Sequence, residues 1–207
     1  MTREERGRCL RRALACGFAL AVLCRVFPGA AATAQVPGEV LRLRVVAHSD
    51  SREEQELKLK VRDGVLEEAA KWCQGAESLE EANAALCTHL QSIGKAAQAV
   101  LDREGSGHGC RVQVTDAYFP TKEYQGFTLP AGVYRTLQVT LGDGGGRNWW
   151  CVVFPALCLP GAQEDHAVLD LLPQGERQVV EKAEDYQVSL KVVELYQELR
   201  QWLRGLG

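Results

Sequence analysis

The alternation of apolar and polar residues near position 40 predicts a β-strand. Residues 40–47 read VLRLRVVA, in which aliphatic side chains alternate with Arg42 and Arg44. A period of two places the aliphatic residues on one face of a strand and the arginines on the other. We therefore expect a half-buried strand that keeps both arginines on its polar face.

Two amphipathic helices are predicted after this strand. Ser51 and Glu54 form a capping box in front of an apolar stripe at helical spacing that runs to about Cys73. Ser78 and Glu81 form a second capping box, and the stripe behind it ends at a glycine-rich segment. Because only a short loop separates the two helices, we expect them to pack as an antiparallel pair.

The hydrophobic period returns to two from Cys110 onward. Residues 110–118 and 133–141 alternate, whereas residues 149–154, WWCVVF, are continuously apolar. A continuous apolar run is typical of a strand buried on both faces, so we expect 149–154 to lie inside the sheet under the helix pair. The segment GDGGGR at 142–147 predicts a turn and favours a hairpin between the strands on either side.

The remaining segments are predicted to be loops and one helix. Residues 119–132, FPTKEYQGFTLPAG, and 159–177 have the glycine, proline and polar content of loops. From about Val179 to Leu203 the apolar spacing predicts a helix, which either docks on the domain or binds a partner, and docking is favoured. The predicted fold class is α+β, with a small, mainly antiparallel sheet covered by an N-terminal antiparallel helix pair, and with a C-terminal helix.

The first 34 residues have the pattern of a secretory signal peptide. A basic start is followed by an apolar run of twelve residues and then by small residues ending at Ala34. This run is shorter than the roughly 20 residues needed to span a bilayer. The alternative is an uncleaved anchor or a buried helix. The predicted organisation is a signal peptide at 1–34, an α+β signalling domain at 35–175 and a C-terminal amphipathic helix at 176–207.

The formal net charge of the chain indicates which kinds of partner it can bind. Removing the signal segment takes away six of the 24 basic and two of the 27 acidic side chains, which leaves 18 and 25 and a formal charge of −7. Nucleic acids and anionic membrane surfaces select a basic surface, so this balance disfavours both as partners. We expect a protein partner, no nucleic acid and no small-molecule substrate.

The cysteines raise the question of a disulfide, a metal site or a catalytic thiol. Cys151 and Cys158 lie in the dense stretch NWWCVVFPALC and form a candidate disulfide if Pro155 turns the chain between them. Six residues separate them, more than the two to four of common zinc knuckles. A thiol within an apolar run is usually an inert core residue, which disfavours a catalytic pair with His166.

The other candidate chemical motifs also favour structural roles. GDGGGR lies between two predicted strands and lacks the helix N-terminus that phosphate-binding loops use. The cluster from His48 to Asp50 has a use at the strand-to-helix junction, and adjacent residues rarely form a hydrolytic site. We therefore expect no enzymatic activity, no catalytic residue, no metal and no cofactor.

Residues 41–66 and 119–158 closely resemble the stage II sporulation protein R family, and the resemblance covers about 39–160. It implies a signalling protein that is secreted from the forespore into the space between the two sporulation membranes. There it would activate a membrane-embedded aspartic protease of the mother cell, which processes a sigma-factor precursor. The alternative is an exported hydrolase that acts on cell wall or peptide in that space and uses Cys151, Asp50 or His48.

The candidate partner-binding surface is the segment 119–132 together with the turn 142–147. It combines aromatic residues with prolines where a simple connection could be shorter. In the alternative, its aromatic residues fold back onto the core. The candidate contact residues are Phe119, Lys122, Tyr124 and Phe127.

Overall fold

The computed structural model describes residues 16–17, 30–124, 127–155 and 172–205. The chain divides into two compact units, which we call the sheet unit and the hairpin unit. The sheet unit comprises residues 36–119 and 133–177. The hairpin unit comprises residues 1–35, 120–132 and 178–207.

The described residues form helices and strands in the following order along the chain. They are β1 (Leu41–Val46), α1 (Arg52–Cys73), α2 (Leu79–Arg103), β2 (Cys110–Phe119), β3 (Lys122–Tyr124), β4 (Phe127–Leu129), β5 (Gly132–Leu141), β6 (Asn148–Phe154), α3 (Gln174–Glu181) and α4 (Gln187–Gly205), with short 3-10 helices at Val36–Gly38 and Ala183–Tyr186.

Both predicted helices of the sheet unit are confirmed, together with their caps. Ser51 Oγ accepts a hydrogen bond from the Glu54 N–H, and Ser78 Oγ accepts one from the Glu81 N–H, each at 3.2 Å. These bonds satisfy backbone donors that the first turn of a helix leaves without a partner. Buried residues of α1, α2, β1, β5 and β6 form one hydrophobic cluster. The helix pair therefore covers the sheet as expected.

The sheet has four strands in the order β2-β5-β1-β6. β1 runs parallel to β5, with Leu43 opposite Leu137, and antiparallel to β6, with Leu43 opposite Cys151. The predicted hairpin between residues 133–141 and 149–154 is wrong, because β1 lies between the two strands. The α+β class is confirmed, and the four-stranded sheet is mixed, with a parallel β1–β5 pair and an antiparallel β1–β6 pair.

The glycine-rich turn between β5 and β6 crosses the end of β1. The Gly145 N–H donates to the His48 carbonyl oxygen, and the Gly146 N–H donates to that of Ala47, each at 3.0 Å. A Cβ atom on Gly146 would collide with the carbonyl oxygen of Ser49. Glycine alone permits this close backbone approach, so the turn can carry the chain past β1 instead of closing a hairpin.

β1 is buried on both faces at Arg42, where a polar face was predicted. Arg42 is fully buried, and its Nε donates to the Cys151 carbonyl oxygen at 3.0 Å. Its guanidinium carbon lies 4.2 Å from the centre of the Phe119 ring and 5.0 Å from that of Tyr134. The prediction fails here because aromatic residues of β2 and β5 cover the second face of the strand.

β6 is an outer strand of this sheet, so the prediction that residues 149–154 lie inside it is wrong. The residues from Cys151 to Phe154 are nevertheless all buried. Cys151 and Val153 face the hydrophobic cluster under the helices, whereas Trp150 packs edge-on against Phe119 with ring centres 4.6 Å apart. Packing on both faces, and not a central position, explains the continuous apolar run.

Two further segments of the chain differ from the predictions. Residues 119–132, predicted as a loop, contain the antiparallel strands β3 and β4. The C-terminal segment, predicted as one helix, contains α3 and α4 with a 3-10 turn between them. Leu190 and Val193 of α4 are buried, whereas Leu195 and Leu199 are exposed. One face of α4 therefore packs on the protein and another does not.

Most of the predicted signal segment 1–34 lies outside the described residues, so the signal and its cleavage after Ala34 stay predictions. The loop predicted at 159–177 also falls mostly outside them, and its end is wrong, because residues 174–177 begin α3. In the part of the chain that the structure describes, no helix has both the length and the apolar character needed to cross a membrane.

Replacing Arg42 by alanine is expected to lower the free energy of unfolding by about 3 kcal/mol, since it leaves a cavity between aromatic rings and removes the hydrogen bond to the Cys151 carbonyl oxygen. The matched control is Arg44→Ala on the same strand, where the side chain is partly exposed and the expected loss is below about 1 kcal/mol. Urea denaturation of both variants measures the difference, and equal losses would contradict the role given to Arg42.

Gly146→Ala is expected to destabilise the protein by about 2 kcal/mol, because the added methyl group meets the Ser49 backbone and forces the turn away from β1. Gly107→Ala is the control, since no atom lies within 4 Å of a Cβ atom built there. The midpoint of thermal unfolding, followed by circular dichroism, distinguishes the two variants. A Gly146→Ala protein as stable as the control would show that the turn adapts freely.

Two cysteines outside β6 are expected to react at different rates. Cys87 is exposed, whereas Cys73 is buried, and burial raises the pKa of the Cys73 thiol to about 11. Because the thiolate is the reactive form, iodoacetamide at pH 8 should modify Cys87 quickly and Cys73 only when urea unfolds the chain. Peptide mass spectrometry after timed quenching measures both rates, and similar native rates would argue against the burial of Cys73.

Candidate protein-binding site

The β3–β4 hairpin presents a pair of aromatic rings. Tyr124 and Phe127 are directly opposite each other across the two strands, and their rings stack with centres 4.8 Å apart and an angle of 9° between the planes. Both residues are partly exposed. Such pairs supply large apolar contact area with little loss of side-chain entropy, and aromatic residues are enriched in the centres of protein interfaces.

The sequence carries a signal for this hairpin that the loop prediction missed. Two residues, Gln125 and Gly126, separate Tyr124 from Phe127, and a glycine-containing pair between strand-forming residues is typical of a tight hairpin. The two strands are only three residues long each, which is too short for a clear alternation of apolar and polar positions. Proline and glycine on both sides then favoured a loop.

A groove of about 1070 Å³ lies within the hairpin unit, between the hairpin and the start of α4. Tyr124, Phe127 and Leu190 contribute apolar surface to its wall. Its charged residues carry both signs: Lys122, Lys182 and Lys191, with Glu123, Glu181, Asp185 and Glu194. Aromatic surface inside a rim of mixed charge is the composition of a protein-binding surface.

Lys122, another candidate contact residue, is an exposed residue of the hairpin. It lies opposite Leu129 at the base of the hairpin, is exposed, and contributes to the wall of the groove. Three of the four candidate contact residues, Lys122, Tyr124 and Phe127, are thus brought together in this groove. Their role in binding a partner stays a prediction.

Phe119 is not part of this surface. It is fully buried in the sheet unit, where its ring packs edge-on against Tyr134 and Trp150, with centres 5.6 and 4.6 Å apart, beneath the Arg42 guanidinium. This placement corresponds to the alternative in which the aromatic residue packs on the core. The physical reason is the buried Arg42 guanidinium, whose face is stabilised by the aromatic ring that packs against it.

The turn at 142–147, the other part of the predicted surface, is held by the start of α1. The Arg147 N–H donates to Asp50 Oδ1 at 2.7 Å, and Lys58 Nζ donates to the Arg147 carbonyl oxygen at 3.0 Å. The turn belongs to the sheet unit, whereas the hairpin belongs to the other unit. That the two together form one binding edge remains a prediction.

Lys58 is a buried charge that the helical pattern did not single out. It is 4% exposed, and its ammonium group donates to Gln55 Oε1 at 2.6 Å as well as to the turn. Burial lowers the pKa of Lys58, and the positive charge of Arg147 lowers it further. The sequence does carry a sign of this burial. Lys58 lies three residues before the buried Val61, and this spacing places both residues on the same side of α1.

The residues that a hydrolase would use are occupied in structural contacts. His48 Nδ1 accepts the Asp143 N–H at 3.2 Å, and Asp50 accepts the Arg147 N–H. Cys151 is disulfide-bonded and buried. It also pairs with Leu43, five residues before His48, which corresponds to roughly 15 Å along the strand. The structure therefore does not place Cys151 beside His48, and His166, the histidine considered as its catalytic partner, lies outside the described residues.

Two histidines near the start of α1 form a contact that joins separate segments. The rings of His48 and His108 stack with centres 3.9 Å apart, and His108 Nε2 lies 3.1 Å from Glu54 Oε1. They connect the end of β1, the start of β2 and the first turn of α1. Among the described residues, no group of three or more histidine, cysteine, aspartate or glutamate side chains could hold a metal ion.

The predicted disulfide partner of Cys151 is Cys158, which lies outside the described residues. Cys16, Cys73, Cys87 and Cys110 are free. Cys151 is disulfide-bonded, and its pairing with Cys158 stays a prediction.

Comparison with known proteins identifies relatives along most of the described sheet unit. The family model of stage II sporulation protein R matches residues 37–164. The protein named stage II sporulation protein R in Bacillus subtilis (strain 168) is 38% identical over 133 residues. That alignment covers 64% of this chain and 59% of the relative, so the chain spans less than two thirds of the relative's length.

No solved structure matches this chain significantly. The family match extends from the 3-10 helix before β1 past the end of β6, and so includes the four-stranded sheet, the helix pair and the β3–β4 hairpin. Because the family model covers more than half of the sequence, the chain belongs to the stage II sporulation protein R family.

Proposed function

We propose that this protein is an exported signal that activates a membrane-embedded aspartic protease of the mother cell during sporulation, so that the protease processes a sigma-factor precursor. Membership in a sporulation protein family supports a role in sporulation. The observation that carries the proposal is the aromatic pair Tyr124 and Phe127 beside a groove of mixed charge. This surface suits a protein partner.

Activation in this proposal is a matter of binding and not of chemistry by the signal itself. A ligand shifts a protease toward its active conformation only if it binds that conformation more tightly than the inactive one. A tenfold preference corresponds to about 1.4 kcal/mol. One aromatic contact that is made only with the active conformation is sufficient, since truncating a hot-spot side chain costs about 2 kcal/mol or more.

Two further features support export to the space between the forespore and mother-cell membranes. Cys151 is disulfide-bonded, and disulfides persist in oxidising compartments outside the cytosol. The chain without its first 34 residues carries a formal charge of −7, which disfavours adsorption to the anionic lipid that surrounds a membrane-embedded receptor. A protein with these properties would reach its receptor from the aqueous side.

The proposal is tested by reconstitution in a bacterium that does not sporulate. The full chain with its N-terminal segment, the protease and the sigma precursor are expressed together and then with each component omitted in turn. Immunoblotting should detect cleavage of the precursor only when all three are present. Cleavage without this chain would contradict the activating role, and cleavage without the protease would identify the chain as a hydrolase.

The Tyr124→Ala/Phe127→Ala double variant is expected to lose at least about 90% of precursor processing, because both aromatic contacts are removed. Its thermal midpoint should change little, since both rings are partly exposed. Val133→Ala is the matched control, because Val133 is an exposed apolar residue of β5 outside the hairpin, and it should process normally. Loss of folding in the double variant, or normal processing, would contradict a binding role for the hairpin.

A further inference from the structure

Helix α4 exposes a continuous apolar stripe. Among the described residues, eight large hydrophobic side chains are exposed, and seven of them lie on α4. Five form a single line at spacings of four, three, four and three residues, each between 46% and 64% exposed: Val188, Val192, Leu195, Leu199 and Trp202. Tyr196 and Leu203 widen this line on one side. We call the five residues the α4 stripe.

The α4 stripe is a second apolar face and not the face that attaches the helix. Ser189, Leu190 and Val193 are buried on another side of the same helix. The packing of α4 on the protein is therefore already provided without the stripe. Scattered exposed apolar residues are ordinary, but a contiguous patch of this kind marks an interaction surface.

The spacing of the stripe indicates that another helix packs against it. Alternating steps of three and four residues give a mean period of 3.5 residues, which is the period of a coiled coil. In the seven-residue repeat of a coiled coil, written a to g, the apolar positions are a and d. Val192 and Leu199 then occupy a positions, and Leu195 occupies a d position. A membrane surface would instead favour a polar face rich in lysine and arginine. α4 carries acidic Glu194 and Glu198 among its basic residues, which disfavours a lipid surface.

The charges beside the stripe are complementary to those of a second copy. Lys191 and Glu198 are both exposed and occupy successive g positions, next to the a residues Val192 and Leu199. In an antiparallel helix pair, g positions of the two helices face each other, so Lys191 of one copy faces Glu198 of the other. Two-fold symmetry repeats this pair at the other end of the same side of the contact.

A parallel pair would not use these charges. There g positions face e positions, so Lys191 would face Tyr196 and Glu198 would face Leu203. In the single chain, Lys191 Nζ contacts Glu194 Oε2 at 2.7 Å, but the lysine side chain is 76% exposed and free to reach a second copy. The antiparallel arrangement therefore buries the apolar stripe and also pairs the opposite charges beside it.

We propose that two copies of this protein associate through an antiparallel contact between their α4 helices. The stripe covers about 21 Å of helix, which is short for a coiled coil and smaller than a standard protein interface. The dimer is accordingly weak and dependent on concentration. This inference is independent of the proposed function, because it concerns the chain in the absence of the protease.

Sedimentation velocity of the full chain, from about 1 μM to several hundred μM, tests the proposal over the weak-affinity range. The wild type should shift from monomer to dimer with rising concentration. Leu195→Glu/Leu199→Glu should remain monomeric throughout with an unchanged circular dichroism spectrum, since both side chains are exposed. A monomeric wild type at every concentration, or a dimer that survives this double change, overturns the proposal.

A charge exchange tests the antiparallel arrangement in proteins whose stripe is intact. Lys191→Glu alone places like charges opposite each other and should weaken the dimer at least fivefold, whereas Lys191→Glu/Glu198→Lys should restore it. Arg200→Glu is the matched control, because Arg200 is exposed on the same helix but occupies a b position, and it should leave the dimer unchanged. Failure of the double exchange to restore the dimer overturns the antiparallel contact.

Co-sedimentation with vesicles of anionic phospholipid tests whether the stripe binds a lipid surface instead of a second copy of the protein. The proposal predicts that the wild type and Leu195→Glu/Leu199→Glu remain equally in the supernatant. Binding of the wild type that is lost in this variant would assign the stripe to a lipid surface and overturn the proposal.

Discussion

The interaction that joins all four strands of the sheet unit is the packing around the buried guanidinium group of Arg42. This side chain arises from β1, donates to the Cys151 carbonyl of β6, and lies against Phe119 of β2 and Tyr134 of β5. One residue thus contacts every strand of the four-stranded sheet. Removing a charge from water is costly, and the sheet offsets that cost by surrounding the guanidinium with a carbonyl acceptor and aromatic faces.

The burial of Arg42 has consequences for the surface that we assign to partner binding. Phe119 is the last residue of β2 and is fixed in the core by its contacts with Arg42, Tyr134 and Trp150. The next aromatic residues along the chain, Tyr124 and Phe127, stack on each other in the hairpin instead. One short segment of sequence therefore divides its aromatic residues between a core and an exposed pair, and only the exposed pair suits recognition of another protein.

The polar groups that suggest chemistry in the sequence act as connections in the folded chain. His48, Asp50 and Lys58 tie the glycine-rich turn to the end of β1 and the start of α1. Each of these contacts joins segments that lie about 90 or more residues apart in the sequence. The partly exposed hairpin pair and the exposed α4 stripe are the apolar surfaces that we propose for binding.

Local patterns in the sequence determined the parts of this structure whose contacts are also local. Capping boxes and apolar stripes located both helices of the sheet unit, because a helix is stabilised by residues three or four positions apart. Alternation likewise located β2 and β5, and the long matching stretches identified the family. Lys122, Tyr124 and Phe127 were found as candidates, although their hairpin was taken for a loop.

The tertiary structure alone decided the strand order, the burial of Arg42 and the placement of Phe119. Arg42 and the carbonyl that it binds are 109 residues apart, and no periodicity in either segment reports on the other. An arginine in an alternating strand looks solvent-exposed until aromatic residues from two other strands cover it. The hairpin expected between β5 and β6 was wrong for the same reason, since the strand that separates them comes from the beginning of the domain.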